Sequence, residues 1–171
     1  AASKWYAERI GSEKGAIDCL VRGEDGQFIG YDERHLWVQE QLASKSEGDR
    51  LCFGNCGEKS PWDARLLGVE KVSGNTKHET IEAAKAILVV DDLNGPPELE
   101  LDEWPENDGS SVVIDLSTCH SLQDSICELG YQLLTESDLL IGVLKRAVEK
   151  WSAKQVDSTV IRDAVEEYLG V

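Results

Sequence analysis

An α+β domain, with helices packed on one face of an antiparallel or mixed sheet, is the fold class the sequence predicts. Two observations carry it. Short β-rich runs bounded by Gly, Asn and Pro crowd the first half of the chain, and apolar residues at helical spacing fill the last third. Strands early and helices late segregate the two kinds of element instead of alternating them. At 171 residues a single domain over 1–171 is expected, mainly strands over 1–72, helix and strands with an acidic segment over 73–116, and helical over 117–171. A chain this long buries a hydrophobic core without disulfide staples.

In order, residues 5–10, 16–22 and 27–31 read as strands parted by Gly-Ser-Glu-Lys-Gly and by the hairpin-like Gly-Glu-Asp-Gly. Leu36, Trp37 and 40–42 fit a short helix with Asp32 as its cap. Residues 50–53 and 66–72 read as strands joined by a Gly-, Asn- and Pro-containing loop over 54–62. Ile81, Ala84, Ala86 and Ile87 recur at helical spacing, which predicts a helix over about 77–87. After Asn94-Gly95-Pro96-Pro97, Leu99 and Leu101 alternate with acids as in a half-exposed strand, and 111–116 is apolar enough for a buried strand. Helical faces follow over 122–134, 137–151 and 158–169, the last ending at Gly170.

Charge is the most specific signal. Asp and Glu number 33 against 17 Lys and Arg, a formal net charge of -16, which argues against binding nucleic acid or an anionic membrane. Residues 86–144 hold 13 acids and no Lys or Arg. Clustered carboxylates repel one another, and a basic partner offsets that cost. The expected function is therefore a binding or inhibitor protein that docks or neutralises a basic protein, such as an immunity protein for a toxin nuclease or a nucleic-acid mimic. Its expected partner-binding residues are Asp91, Asp92, Glu98, Glu100, Asp102, Glu103, Glu106 and Asp108, with Trp104 as the aromatic anchor among them. No catalytic residue, metal or cofactor is assigned on this reading, and the protein is expected not to be an enzyme.

Other constellations point elsewhere. Cys52 and Cys56 form a C-x3-C pair, half of a zinc site if Cys119 and His120 complete it, or a disulfide in an exported protein. Buried structural thiols explain the same residues. The stretch 115–120, between an apolar strand and a helix, is where a thiol or serine nucleophile would stand, which makes a small thiol- or serine-dependent enzyme one alternative. A subunit of a larger complex, docked through its C-terminal helices, is another. Neither a P-loop nor a G-x-G-x-x-G is present. Five cysteines, an odd number, suit a reducing cytoplasm, and neither a basic-then-apolar leader nor a stretch long enough for a membrane span is seen.

Overall fold

A computed structural model describes residues 31–44, 48–57, 60 and 62–169, with the side chains of 31, 32, 150, 151, 168 and 169 left aside. The strands expected at 5–10 and 16–22, and all but the last residue of 27–31, lie outside the described residues, as does Cys19. Contacts group the chain into two compact units, dividing it after Trp37 and after Glu136.

The unit Val38–Glu136 is built on a sheet of five strands, β1 (Asp49–Phe53), β2 (Glu70–Val72), β3 (Ala84–Val89), β4 (Val112–Asp115) and β5 (Gln132–Thr135), in the order β2-β1-β3-β4-β5. Every pairing is parallel. This corrects the expected antiparallel or mixed sheet. Parallel neighbours need a crossover between them, and the crossovers here carry helices too short to advertise themselves: α2 (Ala64–Leu67), α3 (His78–Ala83) and α4 (Gln123–Glu128). Strands and helices alternate except between β3 and β4, where the crossover holds only a 3-10 turn at Leu101–Glu103.

Both faces of the sheet are covered. Leu51, Ile87 and Val113 stand in register on one face, and Cys52, Leu88 and Ile114 on the other, each fully buried. A strand buried on both sides has no polar alternation, so β3 reads Ala-Lys-Ala-Ile-Leu-Val and mimics a buried helical stretch. That is why the expected helix over 77–87 ends at Ala83 and why the helix expected over 122–134 divides into α4 and β5. Residues 66–72 hold the end of α2 and only three strand residues. On the Leu51 face the core gathers Phe53, Ile81, Ala84, Val89, Ile126 and Tyr131, with Trp104 between Phe53 and Tyr131 at ring-centroid distances of 5.5 and 5.7 Å.

The other unit has α5 (Glu136–Ser152), which starts one residue before the division, and α6 (Ser158–Leu169), close to their expected bounds. Both are amphipathic, and α5 buries Leu139, Ile141, Val143 and Ala147. Gly142 lets Trp37 lie against α5, since a β-carbon there would sit 2.3 Å from the indole ring. Ion pairs Arg146–Glu33 at 3.2 Å and Arg162–Asp138 at 2.9 Å fasten the same unit. Among the described residues the first helix, α1 (Tyr31–Ala43), includes Asp32 rather than being capped by it. No helix among the described residues is long and apolar enough to cross a membrane.

Candidate nucleotide site at the strand ends

In this strand order the chain leaves β1 toward β2 on one side and later crosses to β3 on the other, which makes the C-terminal ends of β1 and β3 the switch point beside which sheets of this kind bind ligands. A cavity of about 470 Å3 lies beside it, at the C-terminal ends of β1 and β2 and against the segment after β3, lined among others by Phe53, Gly54, Lys71, Ser73, Gly74 and Gly95. That size is within the range of small-molecule and cofactor pockets.

Glycines shape it. Gly54 follows β1 directly with φ +101°, and a β-carbon would fall 1.9 Å from the Val90 carbonyl oxygen. The turn therefore hugs the end of β3, fixed by Val90 N–H donating to Phe53 O at 3.0 Å and Asn55 N–H to Asp91 O at 3.1 Å. Gly74, just past β2, leans on the backbone of the opposite lip, where its β-carbon would lie 1.9 Å from the Glu98 carbonyl oxygen. Gly95, φ +125°, has open space at its α-carbon and closes a tight turn with Asp92.

A dinucleotide is the group this fold implies, and the residues fit it at the glycine turn and the crevice. Gly54 is the left-handed residue the first strand-to-loop turn requires, Lys71 offers a cation, and Ser73 a hydroxyl. The glycine fingerprint is incomplete: with Gly54 as its first glycine, Cys56 and Lys59 occupy the second and third glycine positions. Helix α2 is a single turn whose Asp63 cap already accepts from Arg65 N–H at 2.9 Å. No carboxylate sits at residues 73–76, about 20 residues past Gly54, where a ribose-binding acid is commonly placed. With most of the motif missing, the sequence yields no nucleotide loop; the legible signal was a glycine immediately after an apolar strand.

A second cluster occupies the end of β4. Asp115, 3% exposed, accepts from Ser117 Oγ at 2.7 Å, Ser117 N–H at 3.1 Å and Gln123 Nε2 at 3.0 Å. Gln123 Nε2 also lies 3.2 Å from His120 Nδ1. Asp91 binds across to this loop, taking the Thr118 N–H at 2.8 Å and hydroxyl at 3.2 Å. Cys119 pairs with Ser121 Oγ at 3.1 Å and His78 Nδ1 with Glu103 O at 3.0 Å. Among the described residues of this cluster no imidazole meets the Cys119 thiol or a serine hydroxyl, so the alternative nucleophile at 115–120 lacks its base.

Cys52 and Cys56 are free and buried, without a disulfide, and no three potential metal ligands cluster among the described residues. A hydrogen bond toward Cys56, reinforced by burial, pushes the Cys52 thiol up. Receiving that bond, with the Lys71 ammonium nearby, brings Cys56 down to about 7 against burial's opposite pull. Since this lies below the unfolded thiol's 9.0, Cys56 contributes stability that is complete above pH 9 and lost as pH falls through 7. A step in thiolate absorbance with a midpoint near pH 7 is accordingly expected, and its loss in Cys56→Ser; no such step below pH 8 would contradict the pairing.

The acidic residues serve several local ends. Asp92 and Glu98 line the crevice, Glu100 precedes a single 3-10 turn at Leu101–Glu103 that contains Asp102, Glu106 is exposed, and Asp108 accepts from Ser110 N–H at 3.0 Å. The expected strand with acids on one face is absent here. Trp104 is 4% exposed in the core, so it is no surface anchor.

No protein-family model and no curated protein sequence matches the chain. Solved structures do. Shikimate dehydrogenase from Aquifex aeolicus superposes with a TM-score of 0.54 at 19% identity, over 85% of this chain and 65% of that one. Shikimate 5-dehydrogenase from Thermus thermophilus, in complex with NADP(H) and shikimate, gives 0.52 at 14%, over 79% and 62%. The ligand-free 5-ketofructose reductase of Gluconobacter sp. strain CHM43 gives 0.54 at 16%, over 95% and 71%. The chain thus spans 62 to 65% of the length of these shikimate dehydrogenases. The neighbours are oxidoreductases, and that finding overturns the expected inhibitor, immunity protein or nucleic-acid mimic together with the expectation of a non-enzyme. What the likeness establishes is the fold: a doubly wound parallel sheet of the kind found in shikimate dehydrogenases.

Proposed function

We propose that this chain is the nucleotide-binding part of an oxidoreductase that moves a hydride between a nicotinamide dinucleotide and a small hydroxylated substrate. The observation that carries the reading is the left-handed Gly54 turn at the cavity over the C-terminal ends of β1 and β2, supported by neighbours of the same fold. In this reading Gly54 holds the end of β1 against the end of β3 beside the ligand, Lys71 balances phosphate charge, and Ser73 bonds a sugar oxygen. The dinucleotide, when bound, supplies the atom that accepts or releases hydride. Free thiols at Cys52, Cys56, Cys119 and Cys127 suit a cytoplasmic setting.

Calorimetric titration of the chain with NADP+ and with NAD+ tests this. One-to-one saturable binding of at least one nucleotide is expected, weakened about tenfold by Lys71→Glu, equivalent to about 1.4 kcal/mol. Absence of binding by both would overturn the reading.

A further inference from the structure

The loop after β4 holds a relay that neither the sheet's packing nor the crevice at β1 requires. Asp115 is buried and, as a carboxylate, only accepts; the Gln123 atom 3.0 Å from its Oδ2 is therefore the amide nitrogen. That nitrogen's remaining hydrogen points to His120 Nδ1 at 3.2 Å, so Nδ1 is the accepting, unprotonated nitrogen. The neutral ring then carries its proton on Nε2. His120 itself is exposed, in the loop after β4, whereas Asp115 and Gln123 are buried or half-buried.

In a doubly wound sheet the two nucleotide halves bind on either side of the switch point, and β3 and β4 serve the half opposite β2. The loop is tied to the end of β3 by Asp91 and Thr118. We propose that His120 is a neutral hydrogen-bond donor, fixed as its Nε2–H tautomer by Gln123 and Asp115, to an oxygen of the molecule bound at the C-terminal end of β4. This rests on the oxidoreductase reading. Losing Nε2–H from a neutral ring would leave an imidazolate, so His120 polarises or orients an oxygen and transfers no proton. Asp115 and Gln123 act through His120 as positioning residues. The oxygen belongs either to the nicotinamide carboxamide or to the substrate.

The test uses the whole chain with 15N-labelled histidine, whose ring signals distinguish tautomers. His120 should be present as Nε2–H alone, and Gln123→Glu should convert it to the Nδ1–H form, because a carboxylate accepts where the amide donated. If that variant fails to fold, Gln123→Met should still release the ring to a tautomer mixture. NADP+, the same molecule lacking nicotinamide, and NADP+ with shikimate are then added in separate arms. Movement of the Nε2–H signal with NADP+ but not with the truncated nucleotide supports the carboxamide; movement only with shikimate present supports the substrate. His120→Gln, which keeps a donor, should hold affinity within about threefold, and His120→Ala should lose about tenfold. A mixed or Nδ1–H tautomer in the unmodified chain, or nucleotide binding that leaves the ring unmoved in every arm, overturns the proposal alone. Failure of every nucleotide to bind overturns it together with the oxidoreductase reading.

Discussion

Gly54→Val is expected to cost more than about 3 kcal/mol and to abolish nucleotide binding, since strain at a positive φ adds to a steric clash that no rotamer relieves. The clash is with backbone: the new β-carbon would meet the Val90 carbonyl oxygen at 1.9 Å, and that carbonyl belongs to the segment continuing central strand β3. Moving it disturbs the hydrogen bonds from Val90 to Phe53 and from Asn55 to Asp91, which set the mouth of the crevice. Gly57→Ala is the internal control. Its β-carbon would meet nothing closer than Asn55 Oδ1 at 3.8 Å, and its φ is ordinary, so a change within about 0.5 kcal/mol is expected there. Urea denaturation of both variants reads the difference; equal stabilities would mean that the loop does not approach β3 as described.

Trp104→Ala is expected to destabilise the sheet-bearing unit by about 3–5 kcal/mol, the range for removing a large buried aromatic. Trp104 is 4% exposed and lies between Phe53 and Tyr131, so truncation opens a cavity against the Leu51 face of the sheet. Charge reversal of Glu100, Asp102 and Glu103, on or beside the adjacent 3-10 turn, should by contrast change stability little. Thermal unfolding separates the two: a fall of roughly 12 °C or more for Trp104→Ala, at about 4 °C per kcal/mol, against a few degrees for the reversals. An unchanged midpoint for Trp104→Ala would return the indole to the surface.

Much of the fold was legible wherever one face of an element meets water. Helices α5 and α6 kept their apolar stripes and were bounded almost to the residue, and β4 stood out as a short β-branched run. The central strand β3 was not legible as a strand. Buried on both sides, it carries a continuous apolar run that periodicity cannot tell from a helix, and α3 joins it without an intervening loop. Reading Ala84–Ile87 as the end of a helix removed most of the strand that makes the sheet parallel, and the class followed from that error.

The site was hidden for a different reason. Its shape depends on Gly54, Gly74 and Gly95, which belong to three separate loops and meet only once β1, β2 and β3 are side by side. The charge signal was real but misattributed. The Leu-Glu-Leu-Asp alternation at 99–102 looks like a strand edge, yet the chain turns there and tucks Trp104 inward, leaving Asp92 and Glu98 on the crevice instead of in one docking face.

The most direct test of a nucleotide crevice is the NADP+ titration followed residue by residue through backbone amide shifts. The shifts should concentrate on Gly54, Lys71, Ser73, Gly74 and Gly95, around the crevice at the ends of β1, β2 and β3. Shifts confined to the acidic residues 100–108, or none at saturating nucleotide, would contradict it.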